Sequence, residues 1–324
     1  MNTQLLNSIH ASKIHKEVMH DLHEKSIIKP GASIDNIVHF IESNIKDKIK
    51  YDPEQPLKGG CAFPANVSVN EKVAHYTSSI KNNPYILQYD DIVKVDFGVH
   101  KNGGIIDSAC TFYFNEKYKD FIDISKKTTQ YAVNLCGPDV DLGDMGEQIE
   151  EYVTSKEVEI DGKVMPLYTL SELSGHNIGH YLIHKSKAVP NCKFHYPVRM
   201  EEDEIYAIEP FVSTYSSESY YENPIHLYML NRNHHKNIGN LNKDEHDYFN
   251  TIKKQYSTLC FCDRWLENEI KVSSQNILNG LIHHKVVDEF ETIYVPDGHY
   301  VSQFEHNIYI RSNGILKLTE NKYY

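Results

Sequence analysis

The stretch "IVKVDFGVHKNGGIID", Ile92 to Asp107, constrains the fold of this chain more than any other segment. Two apolar, β-branched arms run into a short polar turn, which predicts a β-hairpin. Each arm nevertheless carries an aspartate, Asp96 or Asp107, where a core residue is expected. If Lys101-Asn102 forms the two-residue loop, the two acids lie directly opposite each other. If Asn102-Gly103 forms it, the better type I′ sequence, they sit on a diagonal. Side chains alternate faces along a strand, so either register leaves both carboxylates on one face within side-chain reach. Two ionised carboxylates that close repel, and burying them costs on the order of several kcal/mol more unless a cation lies between them. Neither arm is expected to turn an arginine or lysine onto that face. A divalent metal is the simplest partner.

A lone strand aspartate is usually solvated or bonded into a turn, so the hairpin needs support from elsewhere. Similar misfits supply it. Glu209 in "IYAIEPF" and Glu305 in "YVSQFEHNIYI" read as carboxylates inside apolar strands, and His176 in "SGHNIGHYLIH" is flanked by Gly175 and Gly179. Glycines there allow close approach of backbone or ligand. Four carboxylates and one imidazole form a mainly oxygen-donor set, which suits two divalent ions better than a thiolate-preferring structural zinc. Two such ions can bind and deprotonate a bridging water, which predicts hydrolysis. "HNIGH" is not the HExxH motif, because Asn177 follows His176. His176, His180 and His184 are spaced four apart, but the two glycines argue against a helix there.

Around these residues the plan of the chain repeats. An opening helix (about residues 5–26) is broken at Pro30-Gly31. Ser33 then caps a second helix with Ile34, Ile37, Val38, Ile41 and Ile45 at helical spacing, and strands follow. From Phe121 the order recurs: helix, break at Gly137-Pro138, helix, then strand-like "KVMPLYTL" and "EIYAIEPFVST". This predicts a duplicated α/β (α+β) half-fold. After about Tyr228, "KDEHDYFNTIKKQYSTLCFCDRWLENEI" and "SSQNILNGLIHHKVVDEF" read as helices before the strand "YVSQFEHNIYIRS", which predicts a helical insertion at about 228–290 within one catalytic domain of residues 1–324.

Bulk properties exclude several function classes. A formal net charge of −12 over 324 residues argues against a DNA-binding surface, which needs clustered Lys and Arg. No run approaches the length of a membrane span, and the N-terminus lacks the apolar core of a signal peptide. The six scattered cysteines form no CxxC pair, consistent with reduced thiols in the cytoplasm.

The motifs "KPG", "AFP", "AHYT", "LQYDDIVKVDFGVH", "IIDSACT", "GHNIGHYLIH", "VPN", "RMEEDEIYAIEPF", "TLCFCDRW" and "QFEH" together resemble the type 2 methionine aminopeptidases over nearly the whole chain. The resemblance implies the pseudo-two-fold "pita-bread" creatinase/aminopeptidase fold and removal of the initiator methionine from nascent polypeptides whose second residue is small. It implies that Asp96 chelates one metal, that Asp107 and Glu305 bridge both, and that His176 and Glu209 complete the second site. His75 corresponds to the histidine that approaches the substrate amide, and His184 to the one that bonds the scissile carbonyl. Glu209 corresponds to the proton shuttle, Phe63 to a wall of the methionine pocket, and His226 to a pocket histidine. Cys260 stands where an alanine is usual and Phe290 where a tyrosine is common. His180 matches no ligand. The implied cofactors are two divalent ions (Mn, Co, Fe or Zn), and the implied partners are nascent-chain N-termini at the ribosome. A monomer is expected, without DNA or membrane. The long charged N-terminal extension of the eukaryotic enzymes is absent from this sequence, so the resemblance does not by itself imply that extension's ribosome or translation-factor contacts. The rival readings are a prolidase or X-Pro aminopeptidase with the same ligands, and a non-enzymatic relative that binds RNA or regulatory partners.

Overall fold

Helix starts and stops fall where local chemistry puts them. The computed structural model describes residues 2–78, 84–270 and 275–323, the side chains at 223–224, 268–270 and 275 excepted. Helix α1 spans Thr3–Glu24 and α2 spans Ile34–Ile49. The Ser33 hydroxyl accepts the Asn36 N–H at 3.2 Å, satisfying a first-turn donor of α2. Ile34, Ile37, Val38, Ile41 and Ile45 are all buried, each contributing roughly 1.5–3 kcal/mol over exposure. The second pair, α3 (Lys119–Leu135) and α4 (Leu142–Thr154), is separated by Gly137-Pro138, and Asp141 caps α4 through the N–H groups of Gly143 and Asp144.

Each helix pair packs on a sheet. The strands Ile92–Lys101 and Gly104–Tyr113 form the expected hairpin, with Gly59–Val69 on the other side of Ile92–Lys101. Asn102 and Gly103 have φ of +42° and +75°, as a type I′ turn requires. Helix α1 crosses the hairpin and α2 lies against Gly59–Val69. In the second half a five-stranded sheet runs in the order Gly314–Lys317, His306–Arg311, Ile205–Ile208, Ser174–Ile178, Ala188–Pro190. Ala132, Val133, Met145 and Ile149 of α3 and α4 share an apolar cluster with Tyr206, Ile208, Ile308 and Ile310 of that sheet.

One expectation about the strands is corrected. Glu209 and Glu305 do not sit inside strands; each lies in a two-residue gap. Ile205–Ile208 leads through Glu209-Pro210 into Phe211–Ser213, and Val301–Gln303 leads through Phe304-Glu305 into His306–Arg311. Ile208 pairs with His306 in the five-stranded sheet, whereas Phe211 pairs with Gln303 in a different, three-stranded one. Two neighbouring strands thus change sheets side by side, and both glutamates occupy the crossing.

The segment after Ser213 builds a separate core. Strands Tyr220–Leu230 and Val287–Tyr294 pair, and helices α5 (Lys243–Tyr256), α6 (Asp263–Ile270) and α7 (Gln275–His283) belong with them. Phe249, Ile252, Trp265, Leu266, Leu278 and Leu281 form its apolar cluster. The helical expectation here was too long at two places. Ser257, at φ +54°, ends α5, and Phe261–Cys262 is a short strand on Leu227 and Tyr228. Beyond α7 the β-branched "VV" begins a strand at Val287, while Ser273 and Ser274 lie outside the described residues. Arg264 bonds Glu42 through both terminal nitrogens, at 2.7 and 2.8 Å, and the Trp265 indole adds 2.9 Å, so α6 is tied to α2.

Candidate active site

The hairpin adopts the diagonal register. Asp96 faces Ala109 and Asp107 faces Gly98. One oxygen each of Asp96, Asp107 and Glu305 lie within 4.8 Å of one another. Backbone and hydroxyl bonds hold Glu305 in place: its N–H donates to the Ala109 carbonyl at 3.0 Å, and the Ser108 hydroxyl donates to the Glu305 carbonyl at 2.5 Å. Thr111 holds Gln303 in the same way, at 2.7 and 2.9 Å. His176 arrives from Ser174–Ile178, with Nε2 3.3 Å from Glu209 and 3.6 Å from Asp107. Gly175 is required for that approach, since a Cβ there would stand 2.4 Å from the Ala207 carbonyl oxygen. All five expected metal-site residues converge.

Their electrostatics match the crowding. Burial, then the neighbouring Glu209, pushes Asp96 up to about 8, and burial pushes Glu209 to about 8. Asp107 and Glu305 are driven well above the carboxylate range by burial and by the surrounding acids. Burial lowers His176 to about 4, leaving a neutral imidazole. Asp96 Oδ1 and Glu305 Oε1 are sealed from solvent without a hydrogen-bond partner. Buried acceptors without donors inside a like-charged cluster fit divalent cations, whose charge would reverse both penalties.

Lys94 corrects the expectation about this face. It lies two residues before Asp96 and therefore does share its side of the strand. Its ammonium is occupied elsewhere: buried, it donates to the carbonyls of Asn70 at 2.8 Å and Val301 at 3.4 Å. Burial lowers its pKa to about 7.

Asp96, Asp107 and Glu209 line a cleft of about 540 Å³, whose lining also includes Phe63, His75, His184 and Cys260, with Glu305 buried behind it. Phe63 lies against Gly98, where a Cβ would meet the ring at 2.3 Å. His75 is held at φ +64°, in the left-handed region that few non-glycine residues adopt, with Nδ1 3.2 Å from the Glu291 carbonyl. The His184 and His176 rings stand 3.8 Å apart, and Arg232 binds the carbonyls of both His184 and Lys185. Burial lowers the pKa of His75, and burial followed by the nearby His176, His75 and Arg232 lowers that of His184. Phe290 meets His75 edge to face, with centroids 6.0 Å apart.

Two histidines lie elsewhere. His226 is not among the residues that line the cleft; it is buried with Nδ1 3.4 Å from Asp263. Its strand neighbours Leu227, Met229 and Leu230 line the cleft instead. His180 is exposed and packs on Tyr181 at 4.6 Å, beside the hairpin turn. The sequence reading missed Gln303, whose Nε2 lies 3.3 Å from Glu209 and 3.5 Å from Glu305. It also missed Arg232 and Asn66. Only Gln303 carried a signal, its place two residues before a metal-site glutamate.

Comparisons with known proteins agree with this geometry. The description "Metallopeptidase family M24" matches residues 8–240. The "Methionine aminopeptidase 2" of Neurospora crassa is 35% identical over 305 residues, covering 93% of this chain and 69% of the relative. The chain spans about two thirds of the length of the curated relatives it matches. Among solved structures, methionine aminopeptidase from Thermotoga maritima overlays with a TM-score of 0.65 at 18% identity, covering 99% of this chain and 98% of that one. A thermophilic Arx1 overlays at 0.79 and 15% identity, covering 98% and 91%. Identities this low speak for the fold, the pita-bread architecture that the resemblance implies. With its carboxylates gathered around one imidazole at the floor of a cleft, the chain belongs to metallopeptidase family M24.

Proposed function

We infer that the chain removes the N-terminal methionine from polypeptides whose second residue is small, as the type 2 methionine aminopeptidases that it resembles do. The observation that carries this reading is the convergence of Asp96, Asp107, Glu305, Glu209 and His176 beneath a wall formed by Phe63, His75 and His184. Asp96 would hold one ion, Asp107 and Glu305 would be shared by two, and His176 with Glu209 would complete the second site. Two divalent ions, Mn, Co, Fe or Zn, would supply Lewis-acid activation of a water and of the scissile carbonyl.

The remaining work falls to the chain. Glu209, steadied by Gln303, takes the proton of the attacking water and delivers it to the leaving amine. His75 and His184, kept neutral by their surroundings, offer hydrogen bonds to the scissile amide and its carbonyl oxygen. Phe63 and Cys260 receive the thioether side chain, a soft sulfur beside an aromatic edge. The same reading takes residues 1–324 as one catalytic domain with 228–290 as its helical insertion, acting as a monomer on nascent chains in the cytoplasm. No helix among the described residues is long and apolar enough to cross a membrane.

Peptide hydrolysis tests it. Protein stripped by chelator and reloaded with metal is expected to cleave Met-Ala-Ser and to leave an X-Pro peptide intact. Cleavage of the X-Pro peptide alone would assign the prolidase chemistry instead. A folded protein that binds no metal would favour the non-enzymatic class.

A further inference from the structure

Two acceptor side chains stand beside each other at the cleft floor. Gly59–Val69 pairs with Ile92–Lys101 so that Asn66 lies opposite Asp96. Opposite residues of an antiparallel pair project to the same face, with β-carbons about 4.5–5.5 Å apart. Asn66 is 5% exposed and belongs to the cleft lining together with Phe63 and Asp96. Its amide oxygen is buried and accepts no hydrogen bond. Buried acceptors without a donor are few in native chains, and each calls for an explanation. The five metal-site residues do not provide one, and no backbone donor reaches it. The terminal torsion of an asparagine is broad and roughly two-fold, and a half-turn about it exchanges the amide oxygen and nitrogen.

The reading of the cleft as a methionine site identifies the missing donor. A methionine thioether only accepts, and so does a peptide carbonyl. The α-amino group is the part of the N-terminal residue that brings several N–H bonds and, when protonated, a charge. Phe63 lies three residues from Asn66 on the same strand, so a thioether side chain against Phe63 leaves the backbone end of that residue near Asn66 and Asp96.

We propose that the Asn66 amide oxygen accepts an N–H of the substrate's α-amino group, which makes Asn66 a binding residue for the free N-terminus. The proposal rests on the function inferred above. Beside the Asp96 carboxylate, the amide oxygen completes a pair of acceptors suited to an amine. An N-acylated chain end, with one N–H and no charge, satisfies that pair poorly.

The test needs no turnover. Metal-loaded wild type, Asn66→Leu (close to isosteric) and Asn66→Ala are titrated by calorimetry with L-methioninol and with its desamino counterpart, 4-(methylthio)butan-1-ol. Both variants are expected to bind methioninol about ten- to a hundredfold more weakly, to bind the desamino alcohol as wild type does, and to carry the same metal content. Equal losses for the two alcohols would make Asn66 a packing residue and overturn the proposal, as would no loss at all. Loss of an ion from either variant would also overturn it, by placing the amide on the metal. Whether wild type cleaves Met-Ala-Ser is read separately, so failure of the function and failure of this inference are distinguishable.

Discussion

Asp96 and Asp107 stand on one face of the hairpin but two rungs apart, because Asp107 faces Gly98 while Asp96 faces Ala109. The offset leaves both carboxylates free to reach Glu305, with one oxygen of each within 4.8 Å of the others. It also lets Gly98, opposite Asp107, make room for the Phe63 ring. One turn dipeptide, Asn102-Gly103, therefore decides both the spacing of the acids and the shape of the adjoining wall.

Substituting an acid shared by two ions should remove activity without unfolding the protein. For Asp107→Asn and Glu305→Ala, kcat/KM for Met-Ala-Ser is expected to fall on the order of a thousandfold or more. At pH 9, where the acid cluster ionises, the Tm of the metal-free variants should equal or exceed that of the metal-free wild type, since each then loses a repelling buried charge. Retained turnover in Asp107→Asn would contradict the bridging role.

Stability of the metal-free protein should depend on pH with a definite sign. Carboxylates whose pKa rises on folding hold protons more tightly in the folded chain. Their contribution is therefore complete below about pH 4 and is lost as pH climbs through about 8, the position of Asp96 and Glu209. Buried histidines such as His176 act oppositely at acid pH, and Lys94, lowered to about 7, acts oppositely above it. Comparing Glu305→Gln with wild type cancels those groups. The Tm advantage of the variant should grow by roughly 2 °C or more between pH 5 and pH 9, and metal loading of the wild type should abolish the loss. A pH-independent difference would count against the raised carboxylates.

His75→Ala should lower kcat by about a hundredfold or more while leaving metal content unchanged. The imidazole bonds the Glu291 carbonyl at 3.2 Å and touches none of the clustered carboxylates in the contacts described above. Elemental analysis showing lost ions would refute its assignment to the substrate side.

Gly98→Ala and His226→Ala should behave in opposite ways. A Cβ at Gly98 meets Phe63 at 2.3 Å, so the methionine pocket is distorted and KM should rise roughly tenfold. His226 lies against Asp263 rather than in the cleft lining, so its removal should lower Tm and leave KM within about twofold. Steady-state kinetics with Met-Ala-Ser, alongside thermal melts, separate the two.

Much of this was legible before the structure. The hairpin, its type I′ turn, the Ser33 cap and the isoleucine face of α2 follow from local rules that tertiary packing did not override. The five site residues were visible as polar residues in apolar surroundings. Their cause was not: Glu209 and Glu305 fall where paired strands leave one sheet for another, and periodicity within a single strand carries no trace of that crossing. Lys94 shows a related gap, since the strand period tells which face a side chain takes but not which carbonyls will claim its ammonium. His226 was placed by motif similarity alone, which carries no trace of the Asp263 carboxylate it lies against. Asn66 gave no warning at all, because its partnership with Asp96 exists only once two distant strands are in register.

The central claim is that the acids converge to hold divalent ions. Anomalous diffraction from crystals of manganese-loaded protein tests it most directly. Two anomalous peaks are predicted, one beside Asp96, Asp107 and Glu305 and one beside Asp107, His176, Glu209 and Glu305. Fully loaded crystals showing no peak among these five residues would contradict the account.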